Sequence, residues 1–384
     1  MPLDFTRRDF VRAATLTSLM PSGLFAETSA SRRVVVRTDQ EIGLVRPEFH
    51  GHFAEHLGSC VYGGLWVGPN SHVPNINGYR KAAVEYLKEL GIPVLRWPGG
   101  CFADDYHWRD GIGPVAKRPK RVNIHWGNYT EDNSFGVHEF IGLCRLIGSE
   151  PYLAANLGSG SPREMRDWVE YCNYPSGSTL SDERAANGSP EPFRVKYWGV
   201  GNENWGCGGN MTPDHYADQY RQFAGYLRTF GGTKPFLIAC GPNGNDTRWS
   251  RHFLDGVAGS HMPDGLAMHY YDNGPLYPTE FTASAMDKQL ATFERVEQAI
   301  IQQRALLDGY DPQRKTGLLL DEWGVWDHMN PEEERTKGKL YQQSTIRSAI
   351  GAALGLNIFN RQADKLVMCN IAQIVNVLQS LLLT

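Results

Sequence analysis

The sequence predicts an α/β protein, a (β/α)8 TIM barrel, and three observations predict it. From residue 34 onward, eight short apolar runs alternate with helical patterns, the order produced when parallel strands are joined by crossover helices. The fourth of these runs is followed directly by a carboxylate and the seventh ends on one. No glycine-rich phosphate loop follows an early strand, as a doubly wound nucleotide-binding sheet would require, because Gly99-Gly100 is too short for one. The 384 residues also suit one barrel of ~250 residues with insertions.

Composition narrows the class. Hydrophobic residues make up 41% and charged residues 21%, enough for a large core and too much for bulk disorder. A net charge of −4 argues against nucleic acid or anionic lipid as a main partner. No apolar run reaches the ~18 residues of a membrane span. Seven cysteines lie scattered, giving neither a disulfide framework nor a zinc pattern. They are expected to be mostly free thiols.

Taken in order, residues 1–30 read as a twin-arginine export signal. Arg7-Arg8 precedes Phe10 and a weakly apolar stretch from Ala13 to Ala26. On that reading the mature protein is periplasmic or secreted. Residues 31–45 hold a strand-like segment, Arg33–Thr38, and the barrel occupies 46–384. Its strands are expected at Glu48–Phe53, Val94–Pro98, Pro151–Leu157, Lys196–Asn202, Pro235–Cys240, Leu266–Tyr271, Leu318–Glu322 and Leu366–Ile371. Helices are expected over 135–148, 161–173, 213–230, 285–308 and 336–355. Thr212 can cap the third of these, with Pro213 in its first turn.

The chemistry lies at two strand ends, Gly201-Asn202-Glu203 and Asp321-Glu322-Trp323. A carboxylate just past a parallel strand sits at the C-terminal mouth of a barrel, where active sites form. The fourth and seventh strands face each other across that mouth, so both carboxyl groups can reach one substrate bond. Paired carboxylates are the equipment of glycoside hydrolysis. His50, His52 and His56 are close in sequence, but no second cluster completes a metal site.

These stretches carry a specific resemblance. FHGHFAEHLGSCVYGGLWVG (49–68), LRWPGGCFADDYHWRDGIGP (95–114), EPYLAANLGSG (150–160), KYWGVGNENWGCGGNM (196–211), AMHYY (267–271), LLLDEWGVW (318–326) and NIAQIVNVL (370–378) resemble glycoside hydrolase family 51 α-L-arabinofuranosidases. That family belongs to the clan of retaining barrel glycosidases. The resemblance implies that Glu203 is the general acid/base and Glu322 the nucleophile. Glu203 would then need a raised pKa, and Glu322 would stay ionised through hydrogen bonds from Arg96 and Tyr271. Asn202 would bond the sugar 2-hydroxyl, and Glu55 would accept another sugar hydroxyl. Cys101, His269 and Gln373 would line the sugar pocket, with Trp126 and Trp326 as its aromatic walls. No metal or cofactor is implied.

The implied substrates are arabinoxylan, arabinan or their oligosaccharides, cut at terminal non-reducing α-L-arabinofuranosyl residues. Homo-oligomers are common in the family. Another retaining clan member, a β-xylosidase or endoglucanase, is the alternative. Family members continue as a C-terminal β-sandwich that the N-terminal strand helps to complete, so this barrel reads as truncated at its C-terminal end. A truncated, inactive sugar-binding remnant is therefore the third reading. Val137 and His138 depart from the family's usual Thr and acid, which bears on helix capping rather than chemistry.

Overall fold

The computed structural model describes residues 35–272 and 274–384. Eight parallel strands close a barrel: β1 (Gly51–Phe53), β2 (Val94–Trp97), β3 (Glu150–Ala155), β4 (Tyr197–Val200), β5 (Phe236–Asn243), β6 (Gly265–Tyr271), β7 (Gly317–Gly324) and β8 (Leu366–Ala372). Each strand pairs with its neighbours in sequence, and β1 pairs with β8 through Gly51 and Asn370. All eight expected strands are present. The first is shorter than expected because Pro47–His50 winds into a 3-10 turn with Pro47 in its first position, where a missing N–H costs nothing.

Helices surround the barrel: α1 (Lys81–Leu90), α2 (Val137–Ile147), α3 (Pro162–Asn173), α4 (Thr179–Ala186), α5 (Pro213–Ala224), α6 (Thr247–Val257), α7 (Ala283–Phe293), α8 (Val296–Tyr310), α9 (Pro331–Lys337) and α10 (Ile346–Arg361). Thr212 caps α5 by accepting the His215 N–H, as its position predicts. α5 stops short of residue 230 because the chain tightens after Gly225, with Tyr226 and Leu227 bonding three residues back. The expected 285–308 helix is two, α7 and α8. The Thr292 hydroxyl bonds back to the Lys288 carbonyl just before the break, a contact that bends helices. The helix expected over 336–355 begins only at Ile346. Gly338 and Leu340 take positive φ, and the Ser348 hydroxyl accepts the Thr345 N–H at the start of α10.

Inside the barrel, Val94, Tyr152, Tyr197, Ile238, Ala267, Leu319 and Met368 form an apolar layer, one from each of β2 to β8. No helix follows β8 among the described residues. Residues 373–384 instead run irregularly, with the Ile374 N–H bonded to the Phe53 carbonyl and the Leu378 N–H to that of Leu340. The strand expected over Arg33–Thr38 does not form within its described part. Residues 35–41 carry no strand structure, and Arg33 and Val34 lie outside the described residues. No described helix is long and apolar enough to cross a membrane.

Candidate active site

The strand ends at the C-terminal mouth surround a pocket of about 40 Å³. Glu55, Cys101, Trp126, Glu203, Tyr271, Glu322, Trp326 and Gln373 line it. Arg96, Asn202 and His269 reach it from β2, the end of β4 and β6. All eleven residues singled out in the sequence therefore converge.

Glu322 is almost fully buried. Arg96 Nη1 donates to its Oε1 at 2.9 Å, and the Tyr271 hydroxyl donates to Oε2 at 2.8 Å. Burial alone would raise its pKa, but the charges of His269 and Arg96 and these two hydrogen bonds outweigh burial and lower it. Gly100 packs directly over the carboxylate, where a Cβ would lie 2.9 Å from Oε1.

Glu203 approaches from the other side. Its backbone is left-handed, φ 42°, a conformation that costs a non-glycine residue about 1–3 kcal/mol and clusters at functional sites. Oε1 lies 2.8 Å from His269 Nδ1, which is also 3.5 Å from Glu322 Oε2. Burial alone would lower the His269 pKa; the charge of Glu322, with the hydrogen bond and charge of Glu203, raises it instead. One ligating atom each from Glu203, His269 and Glu322 lies within 4.8 Å of the others. Carboxylate oxygens that close put the pair on the side of retaining enzymes, whose carboxyl groups are ~5–5.5 Å apart, rather than inverting ones at ~6.5–9.5 Å.

Polar atoms aim into the pocket from its walls. Glu55 accepts from Trp126 Nε1 at 2.9 Å, the Phe102 N–H at 3.1 Å and Gln373 Nε2 at 2.8 Å. Burial, then the charge of Glu322, pushes its pKa up to about 7, against those donors. Asn202 Oδ1 accepts from Arg96 Nη2, while Asn202 Nδ2 and Gln373 Oε1 are buried without a partner in the protein. Buried polar atoms are seldom left unpaired, and a bound sugar's hydroxyls can satisfy both. Tyr271 and Trp326 meet edge to face, 5.0 Å between ring centroids.

One expectation changes. Cys101 lines the pocket as a disulfide with Cys207 rather than as a thiol; Cys60, Cys144, Cys172, Cys240 and Cys369 are free. The sequence hid this pair because 106 residues separate its members, and only the barrel brings the loops after β2 and β4 together. His56 sits between Trp97 and Glu131 as a structural hydrogen-bonding group. Sequence reasoning also passed over Asp321, which accepts from Tyr152 and Asn370, and Asp104, whose four N–H donors come from two other loops.

Residues 86–290 match the family model for the alpha-L-arabinofuranosidase 1 domain, and residues 321–384 match that for the alpha-L-arabinofuranosidase C-terminal domain. The chain is 46% identical to an intracellular exo-alpha-L-arabinofuranosidase of Bacteroides ovatus, over 96% of this chain and 72% of that protein. It belongs to glycoside hydrolase family 51. The crystal structure of the GH51 arabinofuranosidase from Xanthomonas axonopodis pv. citri is similar at a TM-score of 0.87 and 43% identity, covering 90% of this chain and 71% of that one. The arabinose complex of the Thermotoga maritima α-L-arabinofuranosidase follows at 0.77 and 33%, covering 88% and 66%.

This family 51 chain is thus a glycoside hydrolase, an α-L-arabinofuranosidase, on a TIM barrel. The C-terminal family match takes in the second half of β7 and all of β8. The expectation of a periplasmic or secreted enzyme exported by the twin-arginine route is corrected: the Bacteroides ovatus relative is intracellular. A paired arginine before a weakly apolar stretch is a short pattern that an ordinary basic terminus also presents, and residues 1–30 lie outside the described residues.

Proposed function

We propose that the chain removes terminal α-L-arabinofuranosyl residues from arabinoxylan, arabinan or their oligosaccharides by double displacement. The spacing of Glu203, His269 and Glu322 carries this reading. Glu322, held ionised by Arg96 and Tyr271, attacks the anomeric carbon while Glu203 gives its proton to the leaving oxygen. The glycosyl-enzyme then forms. Glu203, now a base, takes a proton from water, which attacks the same carbon and frees Glu322. Asn202 Nδ2, Glu55 and Gln373 hold the sugar hydroxyls. The contact of Asn202 to the 2-hydroxyl strengthens as positive charge develops on the ring. Trp126 and Trp326 confine the ring.

The pocket is small, with Leu340 and Leu378 among its lining residues, which favours one terminal sugar over a chain threading through. A set of nitrophenyl glycosides tests this. The α-L-arabinofuranoside should be cleaved at least ~10-fold faster in kcat/KM than the β-xyloside or β-glucoside. One missing or added group in a pocket is worth that much or more. Preference for either alternative would overturn the assignment.

A further inference from the structure

The geometry points to Asp104 as a positioning residue for the hydrolysis, one that holds the turn carrying Asn202 and Glu203 in its reactive shape. Asp104 lies just after β2, in the 3-10 turn Cys101–Asp104, and is buried. Its Oδ1 accepts the N–H groups of Leu157 at 2.8 Å and Gly158 at 2.6 Å, both just past β3. Its Oδ2 accepts the Asn202 N–H at 2.7 Å and Asn204 Nδ2 at 3.3 Å, just past β4. One side chain thus ties together the ends of three successive barrel strands.

The turn it grips is strained at Glu203, whose φ is 42°; a non-glycine residue keeps such a conformation only where the surroundings over-determine it, whereas Gly201 takes its φ of 83° freely. The bond to the Asn202 N–H falls between these two residues. Asn204 Nδ2 extends the clamp by also donating to the Gly208 carbonyl at 2.7 Å. Gly208 must be glycine, since a Cβ there would lie 1.9 Å from the Asn202 carbonyl oxygen and 2.4 Å from Asp104 Oδ2. All four partners are N–H donors, which favour the ionised carboxylate, while burial works against them and pushes its pKa up to about 7. Asp104 does not line the pocket, so its effect on the reaction runs through Asn202 and Glu203.

The inference rests on the proton-donor role proposed for Glu203, and the test separates the two. Asp104→Asn keeps the shape but turns an amide NH2 towards N–H groups on one side. Misplacing a catalytic group by about an ångström can cost 10²-fold. With a nitrophenyl arabinofuranoside, which needs proton donation, kcat/KM should fall about 10- to 100-fold. With a dinitrophenyl arabinofuranoside, whose leaving group needs no proton, kcat/KM should stay within about 3-fold while kcat and KM fall together; azide should restore kcat, since it needs no base. Equal losses in kcat/KM on both substrates, no loss on either, or no response to azide would overturn the assignment. Should Asp104→Asn fail to fold, Asp104→Glu, which keeps the charge but displaces it by one methylene, is read for the same contrast. Glu203→Ala measured alongside must show the contrast more strongly. If it does not, the role of Glu203 fails; if it does and the Asp104 variants do not, only the present inference fails.

Discussion

The two ends of the barrel interior are built from the same strands and do opposite work. In the apolar layer, Val94, Tyr152 and Leu319 fill space. Two residues further along β2, Arg96 bonds Glu322 and Asn202, and three beyond Leu319 on β7 lies Glu322 itself. The alternation of strand side chains sets both layers. The odd step on β7 accompanies a break in register against β8 between Leu320 and Trp323. A packed layer therefore supports a polar one in which nearly every group is held by another. Stability is concentrated in the first and chemistry in the second.

That division can be broken deliberately. Leu319 is fully buried, so Leu319→Ala should cost about 2–5 kcal/mol of stability, read from the urea midpoint. Activity per folded molecule should be unchanged; a matching loss in kcat would show that the apolar layer also sets the site geometry. A smaller effect, in the opposite layer, should come from Tyr271→Phe. Its hydroxyl helps to keep Glu322 ionised, and a hydrogen bond to a charged group is worth about 1.5–3 kcal/mol. Removing the donor disfavours the carboxylate, so the Glu322 pKa rises and the acidic limb of kcat/KM moves to higher pH. Stability should change little. An unmoved limb would mean that Arg96 and His269 alone hold the charge.

The layers also differ in how readily the sequence discloses them. The strands were legible because each is a short apolar run bounded by turn residues, and all eight lie where those runs fall. Glu203 and Glu322 were legible because strand ends expose them, and the remaining pocket residues because their motifs are distinctive. Asp104 was not: Ala103-Asp104-Asp105 looks like an ordinary polar turn, and its partners lie 53 to 100 residues away. The Cys101–Cys207 bond and the loop covering the mouth after β8 were hidden for the same reason. Each depends on long-range closure rather than on local pattern. Helix boundaries failed where a side-chain hydrogen bond, such as that of Thr292, overrode a continuous helical period.

The claim on which the account turns is that Glu322 attacks the sugar and Glu203 moves the proton. The most direct test gives azide to Glu203→Ala and Glu322→Ala and reads the anomeric configuration of each arabinosyl azide by NMR. The account predicts rescue of Glu203→Ala with retained configuration, because azide replaces water in attacking the glycosyl-enzyme. It predicts the inverted azide from Glu322→Ala, by direct displacement. Inverted azide from Glu203→Ala together with retained azide from Glu322→Ala would contradict it and exchange the two roles.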